Sequence, residues 1–244
     1  MASCPMHQQS QSTLSPPPSC PMHNPNAPHS GTSSPTPVTD ALNQLNMMPD
    51  LSQAPALGQQ IDLPTERVIS SIPKSDGASR WEYPSPQQFY NALRRKGWET
   101  PEEEIETMVD IHNFLNEEAW NEVLKWEAMH ECPCPGGPKL ARFRGKPQEL
   151  SPKARILSWL GSPRPFDRHD WVVDRCGREV RYVIDYYSAP EDIPGQPVFH
   201  LDVRPALDSV ESLLDRAKVA AREKFETWWG KGGAGVVEVE GGKQ

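Results

Sequence analysis

Residues 171–187 read WVVDRCGREVRYVIDYY, and this stretch decides the fold class. Val172 and Val173 precede a turn at Cys176-Gly177, after which Val180, Tyr182, Ile184 and Tyr186 recur at every second position. Alternating β-branched and aromatic residues beyond a turn predict an antiparallel hairpin. Residues 198–203 offer a third strand, and residues 139–146 are compatible with a further short one. Helical patterns lie before and after these runs. The expected fold is therefore α+β, with N-terminal helices and a C-terminal helix around a small antiparallel sheet of about three strands.

Upstream, Ser85-Pro86-Gln87-Gln88 reads as an N-cap, a proline at the first helical position and a capping-box glutamine. Phe89, Ala92 and Leu93 supply the buried stripe, and Gly97 ends the helix. Thr100-Pro101-Glu102-Glu103 repeats the start signal, and Ile105, Met108, Val109 and His112 share the next helical face. Asn113 to Asn116 mark a break or a bend before the last stretch, which runs to His130. There WNEVLKWEAMHECPCPGGP, residues 120–138, reads as a helix that meets a Cys-Pro and Gly-Gly stop. Downstream, Ser151-Pro152 starts a brief helix containing Ile156, Leu157, Trp159 and Leu160, stopped by Gly161. Asp208 is the expected cap of a final helix with Val210, Leu213, Leu214, Ala217, Ala221 and Phe225 as its core stripe.

The first 75 or so of the 244 residues are rich in Pro, Ser, Gln and Asn and nearly free of aromatics, which predicts a disordered arm. Residues 80–230 form the folded domain and 231–244 a flexible tail. Within the arm, Ser3-Cys4-Pro5-Met6-His7 recurs as Ser19-Cys20-Pro21-Met22-His23. A cysteine thiolate is a good ligand for ferric heme iron, so Cys4 and Cys20 are candidate heme contacts. Copper, zinc or an inert duplicated linker are the alternatives. The net charge of −8 argues against general nucleic-acid binding. It is also unevenly spread, with eleven acids against one base over residues 99–131 and ten bases against five acids over 142–181. Five cysteines do not make a disulfide framework, and no apolar run approaches a membrane span. With no Lys or Arg before Arg67, a basic presequence is not expected.

No nucleophile elbow, phosphate loop or dinucleotide fingerprint occurs. Three readings remain around His130. A zinc site from His130, Cys132 and Cys134 lacks the usual second half. A di-iron site would use Glu127-x-x-His130, but no second copy of that motif exists. A heme site would use His130 as an imidazole ligand, Trp120 and Trp126 as apolar walls and nearby arginines for the propionates.

Taken together, WNEVLKWEAMHECPCPGGP, SPKARILSWLG, PFDRHDWVVDRCGREVRYVIDYY and LDVRPALDS resemble the mitochondrial cytochrome c heme lyases, also called holocytochrome c synthases. The resemblance runs from about Tyr83 to Lys218 and includes the Cys-Pro repeats. It implies covalent attachment of heme b, through two thioethers, to the Cys-x-x-Cys-His segment of apocytochrome c. It implies His130 as the enzyme's axial iron ligand, Trp98 near heme, and activity associated with the block holding His169 and Arg175. His169 is then a candidate general acid for vinyl protonation. Arg175 is a candidate to hold the hairpin or a carboxylate, Glu131 to orient the site, and Arg142, Arg144 or Arg155 to clamp the propionates. The acidic block is mostly a solvated helix face, with docking of a basic cytochrome as the second reading. The family also implies a location in the mitochondrial intermembrane space, peripheral on the inner membrane. A lyase for the c1-type cytochrome and a non-catalytic heme sensor or chaperone are the alternatives.

Overall fold

A computed structural model describes residues 42–77, 79–130, 136–190, 197–228 and 237–238. Glu131, Cys132, Cys134, Cys4 and Cys20 fall outside the described residues, as does most of the arm. The chain order is β1 (Ile69–Pro73), β2 (Arg80–Glu82), α1 (Pro86–Arg95), a 3-10 turn (Glu102–Glu104), α2 (Ile105–Glu127), β3 (Lys139–Gly145), α3 (Pro152–Trp159), β4 (Asp167–Arg175), β5 (Arg178–Ala189), β6 (Val198–Pro205), α4 (Val210–Trp228) and β7 (Val237–Glu238). An antiparallel sheet runs β3-β4-β5-β6-β7, and β1 pairs with β2 in a separate ribbon. The fold is α+β as expected, with more strands than the three anticipated. The further short strand that residues 139–146 allowed is β3, and the short β1, β2 and β7 are the members the sequence did not suggest.

The hairpin forms as read. Arg175 pairs with Arg178 across Cys176 and Gly177, whose φ values are 54° and 82°. Two consecutive residues with positive φ make the two-residue turn whose twist suits a hairpin. Cys176 is disulfide-bonded. From the turn, strand parity fixes two faces. Asp167, His169, Trp171, Val173 and Arg175 line one, opposite Tyr186, Ile184, Tyr182, Val180 and Arg178. Trp171, Val173, Val180, Tyr182, Ile184 and Tyr186 of this face join Leu115, Ala119, Trp120 and Val123 of α2 in the main core.

The start signals succeed where a side chain makes the cap. Ser85 completes a full capping box with Gln88, and Ser151 accepts the Ala154 amide at the start of α3. Thr100 does not cap; its buried hydroxyl has no hydrogen-bond partner among the described residues, and the 3-10 turn leads into α2 instead. The asparagines of α2 neither break nor end it, since Asn116 donates to the His112 carbonyl within a continuous helix. Asp208 pairs with Arg181 rather than capping α4; the Ser209 hydroxyl accepts the Ser212 amide there.

Two expectations are overturned. Ordered structure begins before Trp81, because Leu63 and Ile72 are buried and Ile61 packs on the cluster that Leu63 forms with α1 and α2. Sparse apolar residues among prolines are enough to bring this strip into the two hydrophobic clusters. The predicted core stripe of α4 faces outward, with Val210, Leu213, Leu214 and Phe225 all more than half exposed. The helix instead buries Ser212 and Asp215. Its inward face is polar because of what it meets.

Candidate functional site

Helix α2 and strand β4 run side by side, and their residues mark off two sites at opposite ends of one seam. His112 and His169 line a common cavity, Trp120 meets Trp171 in the middle, and Glu127 binds Arg175 at the far end. From 112 to 127 a helix rises about 22 Å, and from 169 to 175 a strand rises about 20 Å. The two elements therefore stay in step along their length.

At the far end, Glu127 is a buried carboxylate with three donors. Arg175 grips it with Nε at 2.5 Å and Nη2 at 2.8 Å, and the Tyr182 hydroxyl donates at 2.5 Å. Burial pushes the Tyr182 phenol far up, and the adjacent carboxylate adds to that. Arg175 also reaches Glu211 of α4 through Nη1 at 3.1 Å, and Arg178 bonds the other Glu211 oxygen. This hub decides where His130 sits. Its amide donates to the Glu127 carbonyl at 3.0 Å in the turn that leaves α2. Its Nε2 lies 2.9 Å from the Asp215 carboxylate and its Nδ1 3.4 Å from Glu211. The ring is 17% exposed and Asp215 7%, so α4 closes over the imidazole with polar groups. That contact explains why the inward face of α4 is polar.

His130, Glu211 and Asp215 place ligand atoms within 4.8 Å of one another. They make a poor cation cage, because the two ring nitrogens point at different carboxylates and Glu211 is already held by two arginines. The arrangement instead holds Nε2 through one contact, to the Asp215 carboxylate. Trp126, expected as an apolar wall, packs against the core and spends its indole N–H on the Val203 carbonyl at 2.8 Å. Arg142, named as a propionate clamp, is paired with Glu179, while Arg144 and Arg155 are exposed.

At the near end lies a cavity of about 440 Å³, with Trp81, Phe89, Trp98, Phe143 and Trp171 among its walls. It brings Trp98 and His169 together with His112, a residue the sequence reading left on a helix face. His112 is flanked by the rings of Tyr83 and Phe89 at 6.0 and 5.5 Å, and burial lowers its pKa to about 4. It is thus a neutral imidazole at ordinary pH. His169 Nε2 lies 3.3 Å from Asp167, and Nδ1 lies 3.5 Å from the Tyr186 hydroxyl. Burial alone would raise the Asp167 carboxyl, but His169 and the Arg168 amide outweigh it and hold the group below the usual range. The buried Trp171 Nε1 has no hydrogen-bond partner among the described residues. Trp98 and His169 therefore belong to the cavity and not to the surroundings of His130. No local signal pairs residues so far apart in sequence.

The acidic block is partly structural. Glu102 accepts the Gln60 and Ile61 amides and the Tyr90 hydroxyl, while Glu117 accepts the Ser71 amide and the Tyr83 hydroxyl. These carboxylates fasten residues 60–83 onto α1 and α2. Glu103, Glu104, Glu106 and Asp110 remain solvent-exposed on that face.

Comparison with known proteins ties these residues to a family. Residues 1–220 match the model described as cytochrome c/c1 heme lyase. The chain is 51% identical over 193 residues to the holocytochrome c-type synthase of Bos taurus, covering 77% of this chain and 68% of the relative. It is 45% identical over 240 residues to the holocytochrome-c synthase of Saccharomyces cerevisiae, covering 88% and 85%. A putative holocytochrome-c1 synthase of Schizosaccharomyces pombe is 52% identical over 151 residues, or 59% of this chain and 69% of the relative. No solved structure matches.

Proposed function

The chain belongs to the cytochrome c/c1 heme lyase family, and from that premise we propose that it is a holocytochrome c synthase. It joins heme b, bound transiently as a substrate, to the two thiols of a Cys-x-x-Cys-His segment in apocytochrome c. Each thiol adds across a vinyl group, its sulfur bonding one carbon and a proton going to the other, with no net redox change. Relatives named for cytochrome c match longer stretches of the chain than the c1 synthase of Schizosaccharomyces pombe, which favours cytochrome c as substrate.

His130 is the enzyme's axial ligand in this reading. The observation that carries it is the Nε2 nitrogen held behind a single Asp215 hydrogen bond at the junction of α2 and α4. When iron takes Nε2, the proton there passes to the Asp215 carboxylate or to solvent and the remaining N–H is Nδ1, facing Glu211, the kind of outer carboxylate that steadies a ligating imidazole. Gripping the iron from the enzyme side, with the substrate histidine opposite, places thiols over vinyls and lowers the barrier by orientation. Release of product is then helped by Asp215 reclaiming the ring. Cys4 and Cys20 serve as heme contacts in the arm. The protein acts in the mitochondrial intermembrane space, peripheral on the inner membrane.

The test is co-expression with apocytochrome c, followed by a stain for covalent heme on a denaturing gel. The intact chain should give a labelled cytochrome, and His130→Ala should lose both bound heme and product. Product at the normal level from His130→Ala would remove the ligand assignment. Deleting residues 1–30 should leave attachment intact; loss of all heme binding in that deletion favours the sensor or chaperone. A second placement is favoured by the aromatic cavity, where a flat macrocycle would meet the neutral His112 beside Trp98 and His169. Under that placement His112→Ala, rather than His130→Ala, abolishes the heme spectrum.

A further inference from the structure

Helix α3 turns its apolar stripe away from the protein. Ile156, Trp159 and Leu160 stand at i, i+3 and i+4, on one face, and are 59, 87 and 69% exposed. The opposite side is locked. Ala154 and Ser151 are buried, and the Ser151 hydroxyl donates to Asp185 and accepts from Arg204. The outward pose is therefore set by a buried network on the sheet. An indole left almost wholly in water next to two large aliphatic chains calls for a covering surface.

The charges around it say which kind. Residues 152–164, PKARILSWLGSPR, carry Lys153, Arg155 and Arg164 and no acid, within a chain of net charge −8. Lys153 reaches Asp202 at 2.7 Å, while Arg155 and Arg164 are exposed without a carboxylate partner among the described residues. We propose that the α3 surface docks on an anionic phospholipid bilayer, with Trp159, Leu160 and Ile156 entering the interface and Arg155 and Arg164 meeting lipid phosphates. This deepens the peripheral location given above and rests on it. An indole beside aliphatic side chains suits the wet–apolar boundary, and basic residues near an anionic leaflet add attraction. A second copy fits poorly, because a two-fold contact through this stripe would bring identical arginines face to face. A protein partner fits poorly too, since three side chains on one short helix fall well short of the roughly 800 Å² per side of a stable interface. A bilayer requires no matching shape.

The experiment is co-sedimentation of the full chain with vesicles of phosphatidylcholine alone or of phosphatidylcholine mixed with phosphatidylglycerol. The wild type should partition onto the anionic vesicles and far less onto the neutral ones. Trp159→Ser should weaken partitioning about tenfold or more. Arg155→Gln and Arg164→Gln should each weaken it about fivefold, and added salt should erase that difference. Unchanged urea midpoints will show that the variants fold, since none of the three side chains packs in the core. Equal partitioning of wild type and Trp159→Ser overturns the proposal, as does indifference of the wild type to lipid charge. A dimer that Trp159→Ser dissociates, with no vesicle binding, assigns the surface to a second copy and overturns it as well. The covalent-heme assay in vesicle-free solution separates the two readings. Attachment without vesicle binding removes only the docking surface, and vesicle binding without attachment removes only the activity.

Discussion

Removing the Glu127 carboxylate tests the idea that one buried hub holds both the seam and His130. Side chains of Glu127 and Arg175 are 6 and 8% exposed, so Glu127→Ala leaves a guanidinium in a dry site. Truncating one partner of a buried ion pair costs about 3–5 kcal/mol. Glu211 still takes Arg175 Nη1, which points to the low end, about 3 kcal/mol. The stranded Tyr182 hydroxyl adds about 1–2 kcal/mol. The expected loss is about 4 kcal/mol, a fall in Tm of about 10 °C for a domain of this size. Urea unfolding of the full chain followed by tryptophan fluorescence measures it. The double variant Glu127→Ala with Arg175→Ala should be less destabilised than the sum of the singles by about 2 kcal/mol, because the second change removes the orphaned charge. Additivity within about 0.5 kcal/mol, or a single-variant loss below about 1 kcal/mol, would refute the hub. The same variant should bind heme more weakly, since Arg175, once freed from Glu127, no longer fixes Glu211 beside His130 Nδ1.

Asp215→Asn weakens the hydrogen bond that competes for His130 Nε2, so heme retention should rise about tenfold and turnover should slow, as read by heme transfer to an apoglobin and by product release. Ser151→Ala removes both the α3 cap and a partner of Asp185 and Arg204, with an expected loss of about 2–3 kcal/mol in urea unfolding. Stability should also depend on pH through His112. Its folded pKa is about 4 against an ordinary value of 6.5, so the unfolded chain binds the extra proton between those values. The contribution is complete above about pH 6.5 and is lost as pH falls, by about 2 kcal/mol at about pH 5. His112→Gln should flatten that part of the profile, and an unchanged slope would show that the ring is not buried neutral.

What could be read from the sequence was what is local. The hairpin, the Ser85 capping box and the Ser151 cap are each specified within a few residues, and they stand where the pattern put them. His130 was also legible as the residue at the exit of a helix, and its neighbourhood was not. A helical stripe such as Val210, Leu213 and Leu214 states that one face is apolar but not which way it turns; that was settled by Asp215 and Glu211 meeting His130, Arg175 and Arg178. Arg175 was expected on the hairpin or a carboxylate and is found on two carboxylates from distant elements. The cavity uniting Trp98, His112 and His169 depends on three elements packing together, and none of those residues carries a mark of the others.

The two-residue turn at Cys176 and Gly177 acts as a phase setter for the whole molecule. In a strand the side chains alternate, so the residue count between the turn and any position decides which side of the sheet that position serves. Through β4 this count sends His169, Trp171 and Arg175 to the helix side and Arg168 and Asp170 to the other. One residue inserted between β4 and β5 would shift their pairing by a step. His169 and Arg175 would keep their common face of β4, but Tyr186 and Tyr182, which serve the two ends from β5, would leave it. Length changes in this hairpin should therefore be tolerated in even steps or at its ends, and a single added residue at the turn should disable both ends of the seam together.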